Sequence, residues 1–351
     1  NKIKKYTLHP TSGIWRSKVA LVADDMYRSC SFDNGESSHT INSNNIYNAL
    51  HELLPVLPFY GVDYGLQDCE HPDLTADLIR TINNGVALIN YIGHGDIATW
   101  AGEKIITKSR DLPLIHVDDG KLAIWVAGTF SFGNYHGDEN SFMEALLVKE
   151  DGAIAVVAST GEVRYTENSH YLNNLFGLNN ILGIQHIVSN GHNIRLGELV
   201  LNSKNGSYHK FHTFGDPALP LPFPKIAADI VNEYPENINL VEEENISFNA
   251  PSQFSSILIR GNDKDITYDY GSDNLIYKMP GPTYAQVDFK SSTCFRIPMD
   301  AGACDNCAVI QVYQDENGWN GKIQTNKDIS IINTGITFQD DEGPKIEIFQ
   351  E

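Results

Sequence analysis

The chain has 351 residues, is 41% hydrophobic and 20% charged, and carries a formal net charge of −20 at pH 7. That hydrophobic share excludes an intrinsically disordered chain, and the acidity excludes a nucleic-acid partner, whose phosphates it would repel. No run of about 18 apolar residues occurs, so no membrane insertion is expected, and the length suits about two to three domains.

In chain order, NKIKKYTLHP lacks the apolar core of a signal peptide, while the far end, EIFQE, has no stop signal, which favours a processed product or an excised fragment. Apolar runs then alternate with amphipathic ones. SKVALVADD, NNGVALINYIGHGD, GKLAIWVAGTF and DGAIAVVAST read as buried strands, and INSNNIYNALHELL and LTADLIRTINNG as helices. Strands apolar on both faces and separated by helices predict an α/β unit with a parallel sheet covered on both sides. Functional residues collect at the carboxyl ends of such strands, where Asp24, Asp25, His94, Thr129, Phe130 and Ser159 fall.

The proline-rich GDPALPLPFPK, 215–225, ends that unit, because proline continues neither a helix nor a central strand. Beyond it NISFNAP, SSILIRGN, AQVDFKS, AVIQVYQDENG and KDISIINTGITF alternate in short runs and predict a smaller all-β sandwich. DENGWNGK reads as a hairpin connection. The expected domains are 1–222 and 223–351.

Five cysteines occur. Cys30 with Cys69 would staple two loops, and Cys294, Cys304 and Cys307 would form one disulfide and leave one thiol. A single C-x-x-C offers too few ligands for zinc, so the expectation is an oxidising, extracellular or cell-surface setting.

The most informative motif is NYIGHGD, 90–96, which sets an imidazole between two glycines at a strand end. A hydrolase of this architecture would place a nucleophile at the end of the neighbouring strand, where WVAGTFSFGNY, 125–135, has no cysteine.

NYIGHGD, WVAGTFSFGNY, SFMEALL (141–147), GAIAVVAST (152–160) and FGDPALPL (214–221) resemble, in order and spacing, the gingipain-like cysteine peptidases. That family includes the surface-protein sortase of the type IX secretion system. The resemblance implies a caspase-like domain followed by an Ig-like β-sandwich. It matches His94 to the family's catalytic base and sets the nucleophile's place on Phe130, or on Gly128 or Thr129 if the frame shifts. None of these is a thiol, and phenylalanine can neither deprotonate nor attack a carbonyl. Thr129 or Ser131 remains a conceivable hydroxyl substitute, although an alkoxide forms far less readily than a thiolate. Asp25 and Glu36 loosely match the acid that orients the histidine, against a plain reading as solvated loop or capping carboxylates.

No cofactor is required by this reading, and calcium is the metal such an acidic chain suits, without assignable ligands. The expectation is a catalytically silent peptidase-fold protein with protein or peptide partners and a surface, secretion or assembly role. The alternatives are an active cysteine endopeptidase or sortase and an extracellular structural or adhesive subunit that self-assembles.

Overall fold

A computed structural model describes residues 2–28, 30–32, 37–117, 120–137, 140–224, 237–239, 246–249, 254–270, 273–290, 292–295, 297, 302–314 and 321–332. Glu36 and the turn of DENGWNGK at 315–320 lie outside the described residues.

The first part is built on a six-stranded sheet. Its strands are β1 (Val19–Ala23), β2 (Val56–Tyr60), β3 (Leu88–Ile92), β4 (Ile124–Gly128), β5 (Ala155–Ser159) and β6 (Phe211–Phe214). They lie in the order β6-β5-β4-β3-β1-β2, all parallel except β6, which runs antiparallel beside β5. Every residue of β1, β3, β4 and β5 is buried, which is why these strands read as continuous apolar runs rather than alternating ones.

Two strands escape the periodicity reading. β2 contains Pro58, which cannot donate to a ladder; its edge position leaves that side unpaired. β6 is a four-residue antiparallel strand of mixed burial.

Helices α1 (Ser38–Leu50) and α2 (Pro72–Asn84) cover the sheet. In α2, Leu74, Leu78 and Ile82 recur every four residues and are buried, each contributing about 1.5–3 kcal/mol. Pro72 opens that helix and Gly85, at φ 95°, ends it. Helix α3 (Tyr165–Phe176) follows β5 and ends on Gly177 at φ 92°.

The regular elements beyond 236 are strands only, among the described residues. Five of them make a sheet in the order Asn237–Asn239, Gly321–Ile332, Cys304–Gln314, Phe254–Arg260 and Thr283–Phe289, antiparallel except at its first pair. Ile257, Ile259, Val309, Ile329 and Ile331 form its core. A separate hairpin, Lys264–Tyr270 with Asp273–Met279, lies against the first part. There Asn44 Nδ2 of α1 donates to the Lys278 carbonyl at 3.1 Å, and the Tyr277 hydroxyl donates to Asp63.

Cys30 is bonded to Cys69 and Cys304 to Cys307, while Cys294 is free and exposed. The disulfide between Cys304 and Cys307 removes the C-x-x-C pair as a zinc site.

Candidate functional site

β3 and β4 are paired neighbours with Ile92 opposite Gly128, so His94 and Phe130 each leave the sheet two residues beyond the last matched pair. The two turns then touch. Gly93 N–H donates to Gly128 O at 3.4 Å, and a Cβ on Gly95 would lie 2.9 Å from Thr129 Oγ1.

The backbone of His94 is held on both sides. Its N–H donates to Asp24 Oδ2 at 2.8 Å, and its carbonyl accepts from the Tyr91 hydroxyl at 2.5 Å and from Ala101 N–H at 2.9 Å. Both flanking glycines are needed for this closeness. A Cβ on Gly93 would fall 2.3 Å from the Tyr91 hydroxyl and 2.5 Å from Asp24 Cβ, and one on Gly95 2.7 Å from Thr99 O. The imidazole, partly exposed, meets the His39 ring edge-on at 5.3 Å between centroids, and His39 meets Tyr165 at the same distance.

The second turn separates two phenylalanines. Phe132 is fully buried in an aromatic cluster with Trp100 and Phe142, whereas Phe130 is 37% exposed. Ser131 lies between them at φ 65°, a left-handed conformation that costs a non-glycine residue about 1–2 kcal/mol. Gly133 closes the turn by donating to Ser159 O at 3.0 Å, where any side chain would collide with that carbonyl and the Phe214 ring. Phe130 thus projects from a strained turn onto a pocket of about 390 Å³ lined also by Glu162, Val163, Arg164, Glu167 and Lys210.

Thr129 is fully buried, and its hydroxyl oxygen has no contact with solvent. A nucleophile must reach a carbonyl in the cleft, so Thr129 does not serve as a hydroxyl substitute. Gly128 ends β4 and offers no side chain.

Of the two acids matched to the orienting role, Glu36 lies outside the described residues and Asp25 is engaged elsewhere. Asp25 engages His71, whose Nε2 lies 3.1 Å from Asp25 Oδ2, with side chains only 1% and 3% exposed for His71 and Asp25. The other oxygen of Asp25 accepts Tyr27 N–H at 2.8 Å. Asp24, not Asp25, contacts His94, through the backbone N–H, and its Oδ1 accepts Asp25 N–H at 3.1 Å.

Buried Glu103 completes a group in which Asp24, Asp25 and Glu103 each bring a carboxylate oxygen within 4.8 Å of the others. Burial and these three negative charges push the Tyr91 phenol well above its ordinary value, so it stays a hydrogen-bond donor. Carboxylates are the ligands calcium prefers, but calcium takes about six to eight oxygens. All four oxygens of Asp24 and Asp25 are within hydrogen-bond distance of a backbone or imidazole nitrogen. The cluster fits a hydrogen-bonded anchor for the His94 turn better than a calcium cage.

The family model for peptidase family C25 matches residues 1–222. The chain belongs to peptidase family C25. Among solved structures, the C25 chain is similar to the crystal structure of the Arg-specific cysteine proteinase gingipain R (RgpB), at 15% identity over 94% of this chain and 72% of that one, with a TM-score of 0.51. At that identity the likeness shows the fold: a parallel sheet flanked by helices, similar to the gingipain caspase-like fold. Two weaker likenesses, which carry no argument, are to the complex of pro- and mature domains of RgpB from Porphyromonas gingivalis and to dimeric latent PorU from the same organism. The first has 13% identity, coverage of 94% of this chain and 72% of that one, and a TM-score of 0.47. The second has 11% identity, coverage of 54% and 21%, and a TM-score of 0.25. No curated protein sequence matches the chain. No helix among the described residues is long and apolar enough to cross a membrane.

Sequence reasoning missed His71 and Glu103. His71 stands two residues after Cys69 and just before Pro72 at the start of α2, a position that signals a helix start rather than chemistry. Glu103 sits in a turn without apolar periodicity, and only the fold brings it to Asp24.

Proposed function

We propose that this C25 protein uses the peptidase cleft to hold a protein or peptide without cleaving it. Phe130 carries the proposal: it leaves the strand beside the His94 strand, in register with His94, and ends in a ring that cannot attack a carbonyl. Losing a nucleophile removes several orders of magnitude of rate, and the buried Thr129 hydroxyl does not replace it.

In this reading His94 is the family's base, retained without a thiol to activate, and Asp24 and Tyr91 keep its turn in place. Residues 1–222 are the peptidase-fold domain and 223–351 an Ig-like sandwich, a division supported by the change from a helix-covered parallel sheet to strands alone. Two disulfides support an extracellular or cell-surface setting with a secretion or assembly role.

Installing the missing thiol tests the assignment of Phe130. Phe130→Cys should react with a peptidyl acyloxymethyl ketone much faster than exposed Cys294 does, and adding His94→Ala should abolish that advantage. A Phe130→Cys thiol that reacts no faster than Cys294, or reacts equally without His94, would show that the position is not the nucleophile's.

A further inference from the structure

The pocket beside Phe130 has a definite chemical character. Phe130 and the largely buried Val163 give it an apolar wall, and its volume of about 390 Å³ lies within the range of ligand sites. Four charged residues complete the lining, two of each sign, so the bare count is neutral.

Their hydrogen-bond commitments differ. Glu167 Oε2 already accepts Arg164 N–H at 2.8 Å, where it offsets the positive end of helix α3. Lys210 Nζ donates to the Glu162 carbonyl, which fixes an ammonium at the pocket edge. The guanidinium of Arg164 is exposed and makes no ion pair among the described residues. Hydrogen bonds thus engage Lys210 and Glu167, one of each sign, and leave the Arg164 guanidinium and the Glu162 carboxylate uncommitted among the described residues. A guanidinium without a carboxylate partner beside an apolar wall complements a carboxylate carried next to an apolar side chain.

We propose that the pocket binds a peptide segment in which an apolar side chain lies next to a carboxylate, the Phe130 ring taking the side chain and Arg164 the carboxylate. The proposal rests on the reading of Phe130 as a binding group rather than a lost nucleophile alone. Guanidinium and carboxylate match in planar, bidentate geometry, and an aromatic face adds contact area at little entropic cost. The carboxylate comes either from a peptide C-terminus or from an Asp or Glu side chain, and the two share one chemistry.

The test uses the full chain and three fluorescein-labelled peptides in anisotropy titrations: Ala-Ala-Ala-Leu with a free C-terminus, the same peptide amidated, and amidated Ala-Ala-Leu-Asp. Saturable binding of the first or third, with the second much weaker, is expected, and which of the two binds identifies the source of the carboxylate. Arg164→Glu should weaken that binding about tenfold, and Phe130→Ala should weaken it as well. Both side chains are exposed, so the variants should keep the parent melting temperature.

Equal binding of the amidated control, no binding up to about 1 mM, or indifference to Arg164→Glu would overturn the proposal. Intact-mass analysis of the same mixtures separates it from the reading beneath it. A cleaved peptide would overturn the non-hydrolytic reading, whereas an uncleaved and unbound one would overturn the docking proposal alone.

Discussion

Asp24 joins His94 to the adjoining carboxylate pair: its Oδ2 accepts His94 N–H at 2.8 Å while its Oδ1 accepts Asp25 N–H at 3.1 Å. Asp25 in turn lies 3.1 Å from His71 Nε2, so the histidine of the cleft is connected through two buried carboxylates to a second, buried histidine. The motif residue is positioned from behind, through its backbone.

His71→Ala should therefore be costly. It leaves Asp25 buried with only the Tyr27 N–H, and removing one partner of a buried pair costs about 3–5 kcal/mol. Urea denaturation should show that loss; a change under about 1 kcal/mol would show that the His71 contact does not hold Asp25 in place.

The glycines of the His94 turn make a sharper contrast. Gly93→Ala would set a methyl 2.3 Å from the Tyr91 hydroxyl and 2.5 Å from Asp24 Cβ, and should cost about 2 kcal/mol or more. Gly161 has no heavy atom within 4 Å of its would-be Cβ, and Gly161→Ala should be neutral within about 0.5 kcal/mol. Equal melting shifts in the two variants would contradict the close approach at Gly93.

The Cys30 to Cys69 disulfide closes 39 residues of chain and ends two residues before His71. Replacing both cysteines with serine should cost about 3 kcal/mol and speed hydrogen exchange at the His94 amide, because the brace behind Asp25 is loosened. Unchanged exchange at His94 alongside lower stability would show that the brace does not reach the cleft.

At the junction with the β-strand region, Asp263 meets His51 at 2.7 Å and Arg260 at 3.2 Å. Burial pushes the Asp263 carboxyl up, but the His51 hydrogen bond and the Arg260 charge outweigh it and hold the group below its ordinary value of 3.8. A carboxyl depressed in the folded state contributes its full stability above the unfolded pKa and loses it as pH falls through the folded one. Melting temperature should fall below about pH 4, and the fall should be shallower in Asp263→Asn.

The sequence made the central sheet legible because strands buried on both faces leave continuous apolar runs, as in VALVA and AVVAS. β2 was hidden by Pro58, which the edge position accommodates, and β6 by its mixed burial. In the cleft, the glycines around His94 could be read from the sequence itself, whereas the nucleophile's place at Phe130 came only from the family resemblance. The partners of Asp25 could not: His71 and Glu103 are distant in sequence, and only the packing of the chain segments at the end of β1 brings them to Asp25 and Asp24. Sequence could place carboxylates near the histidine without showing that Asp24 accepts its backbone N–H.

The most direct test of the central claim is covalent labelling of the unaltered chain with a peptidyl acyloxymethyl ketone, read by intact mass and peptide mapping in parallel with His94→Ala. No adduct that depends on His94 is expected, with any slow labelling confined to Cys294 and identical in both proteins. An adduct in the cleft that disappears in His94→Ala would reveal a working nucleophile and contradict a non-hydrolytic cleft.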